Sequence, residues 1–136
     1  MWDLNLKLKK YFHKFRLDKI EKKSLFVQNG QYGLRALKSG FIHINELKAI
    51  NLLFKKTLKK YGKIWFNINP NHIITKKPAE SRMGKGKGAV SEYVAVIQSG
   101  RLILEIEGPT QIQTISLLKK IVKKLHLPVK IVKFIL

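Results

Sequence analysis

The stretch ELKAINLLFKKTLKKYGKIWFNI, residues 46–68, changes period partway along. Up to Tyr61 its apolar residues Leu47, Ile50, Leu53, Phe54, Leu58 and Tyr61 recur at helical spacing and form one stripe. From Lys63 onward the pattern alternates, with Ile64, Phe66 and Ile68 on one face of an extended strand and Trp65 and Asn67 on the other. Asn45 suits the N-cap, Glu46 the first turn and Gly62 the position just past the helix. A helix with one apolar face, running directly into a half-buried strand, calls for a sheet on which that face can pack.

Reading outward supplies the sheet. Ser24–Gln28, Tyr32–Leu37 and Phe41–Ile44 read as short strands, broken by Asn29-Gly30 and Ser39-Gly40. Downstream, Asn69-Pro70-Asn71 marks a turn, His72–Thr75 a strand and residues 76–88 a long loop. Tyr93–Gln98 and Arg101–Glu107 flank Ser99-Gly100 and predict a tight hairpin. A second helix opens at Pro109-Thr110, with Thr110 and Gln113 as a capping box. Its predicted stripe is Ile112, Ile115, Leu118, Val122 and Leu125; Lys119, Lys120, Lys123 and Lys124 face outward. Pro128 ends it, and Val129–Phe134 reads as a last strand. The class is α+β: two helices packed on a mostly antiparallel sheet. Residues 1–23 read as a basic arm that orders on a partner, and residues 24–136 as one domain containing the 76–88 loop.

Charge narrows the function. The 136 residues carry 28 Lys+Arg against 8 Asp+Glu, a formal net charge of +20. Self-repulsion of that size opposes compaction, and a polyanion relieves it. Nucleic acid is the leading partner and an anionic membrane surface the second. Both predicted helices need their apolar faces for the core, so the membrane is the poorer choice. Cysteine is absent, which excludes disulfides and thiolate metal sites. No apolar run approaches the ~18 residues that span a bilayer. The first ten residues lack the apolar core of a secretory signal.

Enzyme signatures are thin. His13, His43, His72 and His126 have no metal-ligand spacing, so no metal and no cofactor are expected. Glu92, Glu105 and Glu107 fall around the predicted hairpin and read as a solvated strand edge beside lysines. The run SRMGKGKGAV, residues 81–90, alternates glycine with lysine, but a strand follows it. A phosphate loop would need a helix there, so a nucleotide enzyme is disfavoured. A finger for RNA fits better. Glycines admit close backbone approach, Arg82 can pair with a phosphate or stack, and Met83 can lie on a base. Lys76, Lys77, Lys85 and Lys87 supply point charges. Three further basic surfaces are the arm, the ridge Lys55, Lys56, Lys59, Lys60 and Lys63, and the outer face of the second helix. No acid occurs between Glu46 and Glu80. From these residues alone, a free-standing RNA- or DNA-binding regulator stays open beside a structural ribonucleoprotein component.

Several motifs together resemble one family, the bacterial and organellar large-subunit ribosomal protein sixteen. His13-Lys14-x-Arg16 is similar to the arm motif, and Gly30-x-Tyr32-Gly33-Leu34-Arg35-Ala36 to an early segment. Gly62-Lys63-Ile64-Trp65, Ile74-Thr75-x-Lys77-Pro78 and Gly100-Arg101-x-x-x-Glu105 follow at matching places. Arg82-Met83-Gly84-x-Gly86-Lys87-Gly88 is the most specific match. Phe15 departs from the family's usual glycine, and an ungapped match sets Glu92 and Tyr93 where tyrosine and tryptophan are usual. A one-residue slip there would exchange strand faces.

The resemblance implies an α/β sandwich with a hammerhead-like β excursion. It also implies a structural role in the large subunit, with no reaction. Expected contacts to ribosomal RNA and aminoacyl-site transfer RNA, near the peptidyl-transferase region, are Lys76, Lys77, Arg82, Met83, Gly84, Lys85, Gly86, Lys87 and Gly88. The arm would add Lys7, Lys9, Lys10, His13, Lys14 and Arg16, and the body Arg35, Lys55, Lys56, Lys59, Lys60, Lys63 and Trp65. Neighbouring large-subunit proteins are the other expected partners; neither a membrane nor a second copy of the chain is. Lysine outnumbers arginine 24 to 4, and isoleucine and asparagine abound, as AT-rich codons favour. A mitochondrial ribosome is therefore the expected location, ahead of a plastid or an AT-rich bacterium.

Overall fold

Two runs of chain, each broken by small residues, pair with each other on both sides of the break. In the computed structural model, which describes residues 20–58, 60–84 and 86–134, the strands are β1 (Tyr32–Ala36), β2 (Gly40–His43), β3 (Lys63–Phe66), β4 (His72–Lys76), β5 (Ala89–Ile97), β6 (Leu102–Glu107) and β7 (Val129–Lys133). The helices are α1 (Ile44–Leu58) and α2 (Gln111–Val122). β1 pairs with β6 and β2 with β5, all antiparallel, yet the two pairs belong to different sheets. One sheet has the order β3-β6-β1-β7 and the other β2-β5-β4. Both runs therefore turn the same corner between sheets, at residues 37–39 and 98–101.

This corrects the hairpin expected at Ser99-Gly100. Arg101 N–H does donate to the Gln98 carbonyl (3.2 Å), and Gly100 has φ 90°, so a turn is present. Its flanking strands do not pair, because both edges of each are taken: β5 lies between β2 and β4, and β6 between β3 and β1. Serines bracket the bend: Ser99 N–H donates to Ser39 Oγ and Ser99 Oγ–H to the Leu37 carbonyl, each at 2.9 Å. Ala36 N–H donates to the Arg101 carbonyl and Gly100 N–H to the Ala36 carbonyl, also at 2.9 Å. These bonds satisfy backbone groups that the change of sheet would otherwise leave unpaired.

The core joins both helices to both sheets. Leu47, Ile50, Phe54 and Leu58 of α1 meet Leu117, Leu118 and Ile121 of α2, Leu34, Leu104 and Ile106 of the larger sheet, and Ile42 and Ile97 of the smaller. Each such side chain contributes about 1.5–3 kcal/mol over its exposed state. The α+β class thus stands, with two antiparallel sheets in place of one.

Details depart from expectation at the helices. α1 begins at Ile44, so Asn45 lies inside it, and the Glu46 carboxylate reaches back to accept from His43 N–H (2.9 Å). At its other end Tyr61 and Gly62 both donate to the Leu58 carbonyl, which ends the helix and leaves Tyr61 74% exposed. α2 is rotated from its predicted phase. Thr114, Leu117, Leu118 and Ile121 are buried while Ile112 is exposed. Thr114 can face inward because its Oγ–H donates to the Thr110 carbonyl (2.9 Å) and because Gly108 leaves it room; a Cβ there would lie 2.2 Å from Thr114 Oγ1. The Thr110 side chain makes no cap hydrogen bond.

The segment expected as a strand at Ser24–Gln28 is instead irregular chain laid along β6. Leu102 N–H donates to the Ser24 carbonyl and Gln31 N–H to the Ile106 carbonyl. Beneath it sits Glu105, which is 1% exposed and not the solvated edge residue expected. Its Oε2 accepts from the N–H groups of Gln28 (3.0 Å), Asn29 (2.6 Å) and Gly30 (2.9 Å), and its Oε1 from the Asn67 amide (2.6 Å). Burial pushes the Glu105 carboxyl up, but the Asn67 amide and the three backbone donors outweigh it and hold the group below its ordinary value of 4.5.

The unfolded chain therefore takes up this proton at a higher pH than the folded one. The stabilisation is complete above 4.5 and is lost as pH falls through the lower folded value. Glu105→Ala leaves four donors unpaired and should cost on the order of 3 kcal/mol or more in urea unfolding. Glu105→Gln should cost only about 1–2 kcal/mol, since Asn67 can turn its carbonyl to the new amide. The glutamine variant should also lose part of the acid-induced fall in melting temperature, and an unchanged acid limb would contradict the assignment.

Candidate nucleic-acid interface

β4 and β5 form the true hairpin, and residues 77–88 are its tip. Lys76 and Ala89 are register partners at the neck. Gly88 makes the neck possible, because a Cβ there would lie 2.6 Å from the Lys76 carbonyl oxygen and 2.8 Å from Lys77 N. Gly84 and Gly86 serve differently. Their φ values of 94° and 88° lie in the left-handed region, and a Cβ on either would meet nothing within 4 Å. Ser81 N–H closes a turn onto the Pro78 carbonyl (3.1 Å), and Lys77 Nζ donates to the Gly84 carbonyl.

The tip presents rather than buries its side chains. Arg82 and Lys87 are exposed, and Met83 is fully so, with no apolar neighbour to repay its hydration. Lys76 is exposed at the end of β4, whereas Lys77 is half-buried by its bond across the loop. Lys85, Lys59 and the arm residues Lys7, Lys9, Lys10, His13, Lys14 and Arg16 lie outside the described residues.

At the foot of the hairpin, Ile74 pairs with Glu92 but Thr75 with Val90, so Ser91 is an extra residue on β5. Such a bulge restores the alternation of faces after a one-residue insertion and twists the ribbon. It falls beside Glu92 and Tyr93, the two residues that depart from the family's usual pattern in an ungapped match. Just beyond it, Glu92 lies 2.7 Å from His43 Nδ1. His126 Nδ1 likewise meets Glu46 at 2.7 Å, so two histidines do have carboxylate neighbours, brought there by tertiary packing.

Lys55 and Lys56 are exposed on the last turns of α1, Lys60 follows it, and Lys63 opens the edge strand β3. Trp65 is half-buried on the same strand, opposite Glu105. Arg35 stands apart from this ridge: its guanidinium donates to the Leu25 carbonyl and so secures the irregular segment over β6. Arg101 does similar work, pairing with Glu21 (3.1 Å) and donating to the Asn67 carbonyl (3.2 Å). Residues 20 and 21 are already docked here, since Glu21 N–H donates to the Ser99 carbonyl (2.9 Å). Sequence reasoning missed Glu105, although an acid flanked on both sides by apolar residues is a sign of burial.

The geometry defines a class first: a small basic α+β protein whose largely apolar core carries a glycine-lysine finger and cationic helix faces. The chain belongs to the ribosomal protein L16p/L10e family, whose model matches residues 5–132. It is 35% identical over 114 residues to the large ribosomal subunit protein uL16 of Chlamydia abortus (strain DSM 27085 / S26/3), covering 84% of this chain and 83% of that one. The uL16 protein of Thermosipho africanus (strain TCF52B) is 38% identical over 121 residues, 89% of this chain and 85% of that one. The family is one of structural components, not of enzymes.

Gly88→Ala should loosen the neck and leave the body folded, because the clash is with backbone that must shift. Hydrogen exchange at Thr75, Lys76 and Val90 should accelerate about tenfold, equivalent to roughly 1.4 kcal/mol of local stability. Gly84→Ala, with open space around it, should leave those amides unchanged. Equal effects from both would contradict the close-packed neck.

Proposed function

We propose that this chain is a structural protein of the large ribosomal subunit that braces ribosomal RNA near the peptidyl-transferase region and supports late assembly. The finger at residues 77–88 enters that RNA beside aminoacyl-site transfer RNA, and the arm of residues 1–23 and the lysine ridge hold the body of residues 24–136 in place. The observation that carries this reading is the tip itself: exposed cations and a fully exposed Met83 on a ribbon clamped at its neck. Family membership supports it, as do relatives named large ribosomal subunit proteins. Point charges on glycine-rich chain neutralise phosphates while the backbone closes on the RNA. The chain performs no chemistry, and neighbouring large-subunit proteins complete its surroundings. We place it in the mitochondrial ribosome, on the AT-rich character of its composition.

Sedimentation of the tagged chain through a sucrose gradient tests the proposal. It should travel with large-subunit particles from purified mitochondria and move to the top of the gradient after RNase. Remaining at the top in both conditions would refute the ribosomal role; travelling with particles of another compartment would refute only the location. Arg82→Ala with Lys87→Ala should keep the melting temperature of the isolated protein and reduce the share found in mature particles. If about eight cations meet phosphates, log K for RNA should fall with log salt at a slope of about −6 to −7.

A further inference from the structure

The place where α1 stops has a shape that the charge pattern alone does not explain. An open groove of about 370 Å³ is lined by Lys60, Tyr61, Gly62, Lys63, Glu107, Gly108 and Pro109. Its volume lies within the roughly 300–1,000 Å³ of pockets that hold small ligands. Tyr61 belongs to the apolar stripe by spacing, but the Leu58 carbonyl captures both Tyr61 and Gly62 N–H and sends the ring outward. The groove is shallow-walled because two positions lack side chains: a Cβ on Gly62 would meet the Glu107 carbonyl at 2.8 Å, and one on Gly108 would strike Thr114.

Three features decide what would fill it. Lys60 and Lys63 are exposed at its rim, so an anion is attracted. Glu107, paired in register with Lys63, also lines the groove, and a carboxylate on that residue would repel a phosphate but accept from an amino or imino N–H. Tyr61 and Pro109 offer flat apolar surface. A ligand with anionic ends and a flat centre bearing N–H groups meets all three, and an unpaired nucleotide is such a ligand. We propose that this groove seats one splayed-out nucleotide of RNA, its base stacked on Tyr61 and its flanking phosphates on Lys60 and Lys63. The assignment rests on the RNA-binding function proposed above and adds a base contact remote in sequence from the finger.

The test is equilibrium binding of the full chain to a fluorescent single-stranded RNA of about ten nucleotides, a length within the usual single-strand footprints. Measurements span a range of salt concentrations. Tyr61→Leu should weaken binding between about fivefold and a hundredfold, as loss of one stacked base does, with the salt slope unchanged. Tyr61→Phe should bind as the parent does. Lys60→Ala with Lys63→Ala should flatten the slope by about 1.4, the share of two single-strand phosphates. Tyr61 is exposed, so each variant should melt with the parent. If the parent binds with a steep salt slope and Tyr61→Leu binds equally well, the seat is refuted and the RNA-binding function stands. A slope changed by Tyr61→Leu as much as by the lysine variant would refute stacking. If the parent binds no RNA, both fall together.

Discussion

The corner where two paired strands pass from one sheet into the other governs the rest of the molecule. There β1 leads to β2 and β5 to β6, and the pairing partners stay the same across the bend. Ser39 and Ser99 satisfy the backbone that the bend exposes. If the chain instead folded back at Ser99-Gly100, β5 would lie beside β6 and the β4–β5 ribbon would lose its place on β2. The finger would then have no rigid base. Residues 20 and 21 dock on the same corner through Ser99, and Arg101 ties them to Asn67. One bend thus sets the root of the hairpin and the docking of residues 20 and 21, near the end of the arm.

A chain with a net charge of +20 needs a core that owes nothing to its cations. The structure separates the two. Apolar side chains from both helices and both sheets meet inside, while lysines stand on the outer turns of α1 and α2. The buried carboxylate of Glu105 is held mainly by backbone N–H groups and an amide, so it does not depend on a lysine that RNA would compete for. The core therefore does not draw on the lysines of the helix faces, and a polyanion bound there would relieve the repulsion among them.

Much of this was legible from residue spacing. The strand at Lys63–Phe66, the long loop before Gly88 and both helices follow from period and turn residues, and the motif Arg82-Met83-Gly84-x-Gly86-Lys87-Gly88 pointed to the family. What escaped the reading shares a cause: each such feature is decided by a partner far along the chain. Ser99-Gly100 looks like a hairpin unless one knows that Ala36 and Ser39 already hold its backbone. Ile112 fits the helical stripe until Gly108 makes room for Thr114. His43 and His126 look isolated until tertiary packing delivers Glu92 and Glu46. Periodicity reports which residues share a face, whereas burial also depends on what the opposite surface can accept.

The finger illustrates how glycine is used for two unlike purposes within a few residues. Gly88 is demanded by space, for backbone lies where its side chain would be, and that contact fixes the direction in which the loop leaves the ribbon. Gly84 and Gly86 are demanded by conformation alone, in the open. Cations between such residues can approach a phosphate without carrying bulky neighbours along. A stiff arginine fork at every position would require each phosphate to be placed in advance, whereas lysine, a point charge on a flexible stem, tolerates variation in backbone path. A close-packed neck with an open tip suits the RNA-bracing role proposed above.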